Sequence, residues 1–217
     1  MISILIPIYN GIEFIDESVM SVINQTYSEW ELLIGVNGHP EKSNVFLKAK
    51  QYEDKSHKVR VLDFFNIKGK SNTLNEMIKY CSYDYVAILD VDDIWEPEKL
   101  EIQSKFLHIY DVIGTRCVYF GEKNLVPYIP TGDISNFDFT RVNPIINSSS
   151  VIRKELCFWN NKWDSVEDYD LWLRLRKMNK KFYNCDKILV KHRIHNTSAF
   201  NSKGNDLLAQ DLVKSYK

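Results

Sequence analysis

The chain has 217 residues, 44% of them hydrophobic and 13% aromatic, which is long and apolar enough to bury one sizeable core. Its 28 basic and 29 acidic side chains leave a formal net charge of −1, excluding the overall positive field that nucleic acid or an anionic membrane would select; any ligand charge has to be met locally. No apolar stretch approaches transmembrane length and the opening MISILIPIYNG lacks the basic lead of a signal peptide, so a soluble, cytoplasmic protein is expected, with peripheral membrane contact left open.

Ile2–Ile8 is a continuous run of β-formers ended by Asn10 and Gly11, the pattern of a strand buried on both faces of a parallel sheet. Ile12, Ile15, Val19, Val22 and Ile23 then recur at helical spacing. The alternation continues with strands over 31–36, 59–64 and 85–89 and helices over 43–54 and 72–80, which predicts an α/β fold with a mostly parallel sheet. A helix is expected over 96–108, with Pro97 in its first turn, where a missing N–H costs nothing. Further on, strands over 112–120 and 149–152 flank a loop-rich stretch, 126–147. A helix over 167–178, strands over 181–185 and 188–194, and a short helix over 206–216 complete the pattern. The four cysteines, Cys81, Cys117, Cys157 and Cys185, form no CxxC pair and are expected as free thiols.

In AILDVDDIWEPEKL, residues 87–100, an apolar strand runs into Asp90, Asp92 and Asp93. Ligands of open parallel sheets bind at the carboxyl ends of strands, where crowded carboxylates repel one another unless a cation or a set of donors neutralises them. Mg2+ or Mn2+ would serve, taking one or two carboxylates and completing its shell with substrate phosphates. A helix cap or an exposed acidic turn would also explain the triplet. The second cluster is Glu167, Asp168 and Asp170 in SVEDYDLWLRL. Ser165 and Asp168 have the spacing of a capping box, and carboxylates suit a first helical turn. A general base in the same place would instead remove a proton from a nucleophilic hydroxyl.

The ordered set SILIPIYNG, SVINQTYSEWELLI, AILDVDDIWEPEKL, NSSSVIR, VEDYDLWLRL and RIHNTS resembles the family-2 glycosyltransferases of the GT-A fold, nearly from end to end. The resemblance implies a single GT-A domain over 1–217. Its fold would be α/β, a Rossmann-like, mostly parallel central sheet flanked by helices, with a smaller mixed C-terminal part. Residues 1–110 would bind nucleotide, and 111–217 would bind acceptor and carry the catalytic base. The implied activity is metal-dependent, inverting transfer of a sugar from a nucleotide-diphosphate donor to an acceptor hydroxyl. A UDP-sugar stands ahead of other donors, Mn2+ or Mg2+ is the cofactor, the acceptor is a glycan, a lipid-linked molecule or a protein, and nucleic acid is no partner.

Residue by residue, Pro7 and Tyr9 match positions of the nucleotide pocket, unless they only end the first strand. Asp90 matches the first Asp of the DxD signature, near ribose and metal, and Asp92 the second, which ligates the metal bridging the donor's diphosphate; Asp93 follows as a supporting residue. Asp168 matches the catalytic base, with Glu167 beside it. Trp172 and Arg174 are expected to pack and pair locally. His195 matches a C-terminal His that approaches metal or diphosphate, though a lone His is more often a satisfied structural residue.

The second strand departs from the pattern: the family usually ends it in two Asp before Gly, and here Val36 and Asn37 stand in those places. Asn37 can accept from a uracil or thymine N–H, but its amide also donates, which leaves the base preference open. Lys68 and Lys70 lie where relatives place a basic residue near the nucleotide, and are either diphosphate contacts or solvated lysines. Gly69-Lys70-Ser71 is not a phosphate loop, because Phe65 occupies the place of its required first Gly. Asn143 and Ser148 are acceptor-side candidates, although polar loop residues commonly serve the backbone. Two alternatives stay open. A sugar-phosphate nucleotidyltransferase would need a Gly-rich loop where PIYNGIEF supplies only Gly11; a non-catalytic nucleotide-sugar binder is suggested by the altered VNG stretch.

Overall fold

The computed structural model describes residues 1–195 and 205–217, so Asn196, Thr197 and Ser198 of the RIHNTS motif lie outside the described residues. Strand β1 (Ile2–Ile8) runs between β2 (Trp30–Asn37) and β4 (Tyr85–Ile88), and β2 pairs on with β3 (Val59–Phe64), all in parallel. Alternate β1 side chains feed two cores. Ile2, Ile4, Ile6 and Ile8 pack with α1 (Ile15–Ile23), α2 (Asn44–Lys50) and α4 (Lys99–Ser104), through Val19, Ala49 and Leu100 among others. Leu5 faces α3 (Lys70–Met77), α5 (Glu167–Lys177) and α6 (Asn205–Tyr216), through Leu74, Trp172 and Leu212. Burial on both faces is why β1 reads as an unbroken apolar run.

Past β4 the sheet continues through β8 (Val151–Arg153), β6 (Val112–Gly121), β9 (Phe182–Ile194) and β5 (Ile94–Trp95), with β7 (Gly132–Asp133) also on β9. Here only β6 and β9 are parallel to each other; the pairings of β8, β5 and β7 are antiparallel. The fold is therefore α/β with a mixed sheet, parallel over its first four strands. No helix among the described residues is long and apolar enough to cross a membrane.

Three expectations are corrected. The helix over 96–108 contracts to α4. Its start is delayed because Ile94 and Trp95 pair with Lys191 and Val190 and the Glu96 N–H donates to Leu189, so Pro97 precedes the helix rather than opening it. Past Ser104 the chain tightens into turns in which the Phe106 and Leu107 N–H groups donate to the carbonyls of Gln103 and Ser104. The strands over 181–185 and 188–194 are one strand, β9, whose irregularity is absorbed in register shifts around Arg116. The capping box at Ser165 is absent: α5 starts after Val166 with no capping side chain, and Ser165 has a left-handed φ of 82°.

Two pairings set up the site. Antiparallel β4–β8 places residues 147–150 beside the end of β4. Antiparallel β5–β9 places the Asp turn, 90–93, against the end of β9.

Candidate active site

Each of the three aspartates that crowd the end of β4 has its own partners. Asp90 Oδ1 is 2.5 Å from Lys70 Nζ, and Asn147 Nδ2 donates to both carboxylate oxygens, at 3.3 and 3.2 Å. The Asp90 N–H donates to Ser148 Oγ at 3.1 Å. Burial pushes the Asp90 carboxyl up, but the charge and hydrogen bond of Lys70, then Asn147 and His192, outweigh it and hold the group below its usual range.

Asp92 Oδ2 lies 2.9 Å from His195 Nε2. Burial, then the charges of Asp93 and Asp90, push this carboxyl above its usual range, with the His195 hydrogen bond working against them. Asp93 is fully buried and accepts from His192 Nδ1 at 2.9 Å and from the Arg193 N–H at 2.8 Å. Burial disfavours a charged His192, yet Asp93, helped by Asp90 and Asp92, raises its pKa to about 9. Arg193 fixes the turn itself: its Nε donates to the Asp92 carbonyl at 2.9 Å while its guanidinium lies 4.4 Å from the rings of both Phe14 and Phe120.

Lys70 joins the two acidic clusters. Its Nζ is 3.4 Å from Glu167 Oε1 as well as 2.5 Å from Asp90. Burial would favour the neutral amine, but Asp90, Glu167 and, at longer range, Asp168 hold it charged, above the ordinary lysine range. Asp168 accepts from Asn143 Nδ2 at 3.2 Å. Burial first, and Glu167 second, raise its pKa to about 6 against the opposing pull of Lys70, Asn143 and the Tyr169 N–H. A carboxylate of this kind is ionised near neutral pH and basic enough to take a proton. Asp170 faces elsewhere, accepting from Tyr216 of α6 at 2.9 Å. Trp172 is fully buried, and Arg174 pairs with Asp170 at 3.7 Å.

The remaining expected residues share the carboxyl edge of the parallel strands. Pro7 is buried within β1, opposite Gly35. Tyr9 is 57% exposed, its ring 5.4 Å from that of His39, whose Nε2 donates to the Tyr9 carbonyl at 2.5 Å. Asn37 is buried at the end of β2, and Lys68 is exposed in the loop before α3. Sequence reasoning passed over Asn147, the residue that orients Asp90; its only signal was its place at the head of NSSSVIR, one residue before Ser148.

Among the described residues no three His, Cys, Asp or Glu side chains gather as a metal cluster. Asp92 and His195 nevertheless offer one oxygen and one nitrogen 2.9 Å apart, whereas Asp90 is already engaged by Lys70 and Asn147. Two protein donors fit Mg2+ or Mn2+, which draw further ligands from phosphate and water.

Comparison with known proteins bears on this geometry. A sequence profile described as Glycosyl transferase family 2 matches residues 3–182. The chain is 29% identical over 216 residues to the UDP-Glc:alpha-D-GlcNAc-diphosphoundecaprenol beta-1,3-glucosyltransferase WfgD of Escherichia coli, covering 97% of this chain and 83% of that protein. Among solved structures, S. aureus TarS 1-349 in complex with UDP-GlcNAc superposes with a TM-score of 0.77 at 17% identity over 99% of this chain, which spans 66% of the TarS chain. The mannosyltransferase PcManGT of Pyrobaculum calidifontis, in complex with GDP-Man and Mn2+, superposes with a TM-score of 0.70 at 11% identity, covering 99% of this chain and 73% of its own. Likenesses at these identities establish the fold, GT-A. With the profile running over most of the sequence and its two acidic motifs drawn together around one lysine, the chain belongs to glycosyl transferase family 2 and is a glycosyltransferase.

Proposed function

We propose that the chain is an inverting, metal-dependent glycosyltransferase in which residues 1–110 bind a nucleotide-diphosphate sugar and 111–217 present the acceptor hydroxyl. The observation that carries this reading is Lys70, whose ammonium bridges Asp90 of the first cluster and Glu167 of the second, so a donor and an acceptor base fit within one site. Asp168 takes the proton of the acceptor hydroxyl as its oxygen attacks the anomeric carbon. The bond from that carbon to the diphosphate oxygen breaks on the opposite face, and the electron pair leaves with the nucleotide diphosphate. Asn143 orients the base through its hydrogen bond to Asp168. Lys70 stands by to meet negative charge on the leaving group, and Asn147 and Ser148 hold Asp90 in place. Asp92 and His195 would hold the Mn2+ or Mg2+. When bound, the ion supplies Lewis-acid stabilisation of the departing diphosphate.

Pro7, Tyr9, Asn37 and Lys68 form the nucleotide side. The UDP-Glc named for WfgD and the UDP-GlcNAc bound in the TarS complex support a UDP-sugar, and the diphosphoundecaprenol acceptor named for WfgD supports a lipid-linked glycan acceptor. Four free thiols fit a reducing, cytoplasmic setting.

Asp168→Asn tests the reading. Transfer should fall by roughly 10²- to 10⁴-fold, as expected for loss of a general base, while calorimetry with UDP and Mn2+ shows unchanged binding. Normal turnover in this variant would remove the proposed base. Nucleotide binding by the native chain without turnover on any of a panel of donors would favour a non-catalytic binder.

A further inference from the structure

The segment that leads into α5 is fastened to one flank of α3 at three successive points. Asn75 Nδ2 donates to the Trp159 carbonyl at 2.7 Å, and its Oδ1 accepts the Trp159 N–H at 2.9 Å. Asn161 Nδ2 donates to Asn72 Oδ1 at 3.2 Å. Finally, Asp164 Oδ1 accepts the Ser71 N–H at 3.2 Å and the Ser71 hydroxyl as well. Ser71, Asn72 and Asn75 lie on one face of α3, at the spacing that makes helical residues neighbours.

The N-cap position of α3 is Gly69, which has no side chain to satisfy the first free N–H groups. Asp164 supplies from another part of the chain the acceptor that an N-cap residue normally supplies locally. Its other oxygen lies 2.6 Å from where a Gly69 Cβ would sit, and Gly69 has a φ of 86°, so glycine is required there on both counts.

One residue from Ser71 is Lys70, and three residues beyond Asp164 is Glu167. The two segments therefore touch twice, at Asp164–Ser71 and at Glu167–Lys70. Between those contacts the chain passes through Ser165 in its left-handed conformation, which a residue with a Cβ keeps only where its surroundings hold it.

We propose that Asp164 is a positioning residue for transfer: by gripping the start of α3 from the segment that opens α5, it keeps Lys70 in register with Glu167 and Asp168. In this role it acts through Lys70 rather than on donor or acceptor, and the role rests on the reading of Asp168 as base and Lys70 as donor-side cation.

The test uses Asp164→Ala, Asp164→Asn, Ser71→Ala and the Asp164→Ala/Ser71→Ala pair in the full chain, each checked by circular dichroism. Asp164→Ala should lower kcat by roughly 10- to 100-fold, the scale of a small misplacement of reacting groups, with a smaller change in donor KM. It should also move the acid limb of kcat/KM to higher pH, because Lys70, which lowers the Asp168 pKa, is no longer held in place. Asp164→Asn keeps the accepting oxygen and should restore most of kcat. Adding Ser71→Ala to Asp164→Ala should cost little more, since both remove one interaction. The proposal fails if folded Asp164→Ala keeps the native kcat and acid limb, if Asn is as damaging as Ala, or if the two Ala substitutions add. Should Asp164→Ala not fold, Asp164→Asn and Ser71→Ala decide: near-native kcat in Asn with a loss of kcat and a raised limb in Ser71→Ala supports it, and any other pattern overturns it. Failure of the underlying reading looks different, since Asp168→Asn would then retain transfer.

Discussion

Asp168 can accept a proton only when ionised, and its pKa of about 6, raised first by burial and then by Glu167, sets where that happens. The kcat/KM profile should therefore fall on the acid side with a midpoint near pH 6. Glu167→Gln removes a neighbouring negative charge and should shift that midpoint to lower pH; a midpoint that stays put would detach Glu167 from the base. His192 shows the opposite use of charge. Burial favours its neutral form, yet Asp93 raises its pKa from 6.5 to about 9, so the folded chain holds a proton that the unfolded chain releases above pH 6.5. The stabilisation is fully present below pH 6.5 and is lost as pH rises through about 9, an effect on the order of 3 kcal/mol. Urea midpoints measured between pH 6 and pH 9.5 should decline accordingly. In His192→Gln, which donates without titrating, that part of the decline should disappear.

At the scale of elements, the short pieces β5 and α4 support the turn that holds Asp90. Trp95 Nε1 donates to the Ser148 carbonyl at 2.7 Å. Gln103, fully buried, donates through Nε2 to the carbonyls of Ile113 and Ser149, both at 2.8 Å, and accepts from Lys99 Nζ at 2.8 Å. Gln103→Leu leaves two carbonyls and an amine without this partner, which should destabilise the chain by roughly 2–4 kcal/mol, read from urea unfolding. It should also raise the donor KM, because Asn147 and Ser148 sit on the loosened turn; a stability loss with an unchanged KM would uncouple α4 from the site. This arrangement also shows where sequence reading reached its limit. The parallel strands and α5 were legible because their periodicity is local. Residues 96–108 carry a helical pattern too, but pairing of Ile94 and Trp95 with β9 delays its start to Lys99, an outcome set by residues about a hundred positions away. The Asp triplet and Glu167-Asp168 were legible as clusters of charge. Asn147 on Asp90 and Asp164 on Ser71 were not, since each is an ordinary polar loop residue until folding brings its partner across 57 or 93 residues of sequence.

Over the whole molecule, a net charge of −1 coexists with two local acidic clusters, Asp90–Asp93 and Glu167–Asp168. The two clusters are linked through Lys70 where the parallel strands end, and the sheet order inserts β8 between β4 and β6 beside them. In the proposed reading Asp92 and His195 would share the ion, and two donors are too few to bind Mn2+ well alone. Ion and nucleotide diphosphate should therefore stabilise the fold together. Mn2+ alone and UDP alone are each expected to move the melting temperature little. At concentrations about 100-fold above the dissociation constant of the joint complex, the two together should add about 2.7 kcal/mol, which for a chain of this size is a rise of roughly 5–10 °C. Asp92→Asn and His195→Ala should each abolish the synergy between ion and nucleotide, whereas Asp168→Asn, which alters the proposed base and not the proposed ion ligands, should keep it. Synergy that survives the Asp92→Asn/His195→Ala double substitution would place the ion on other residues and remove Asp92 and His195 as its proposed ligands.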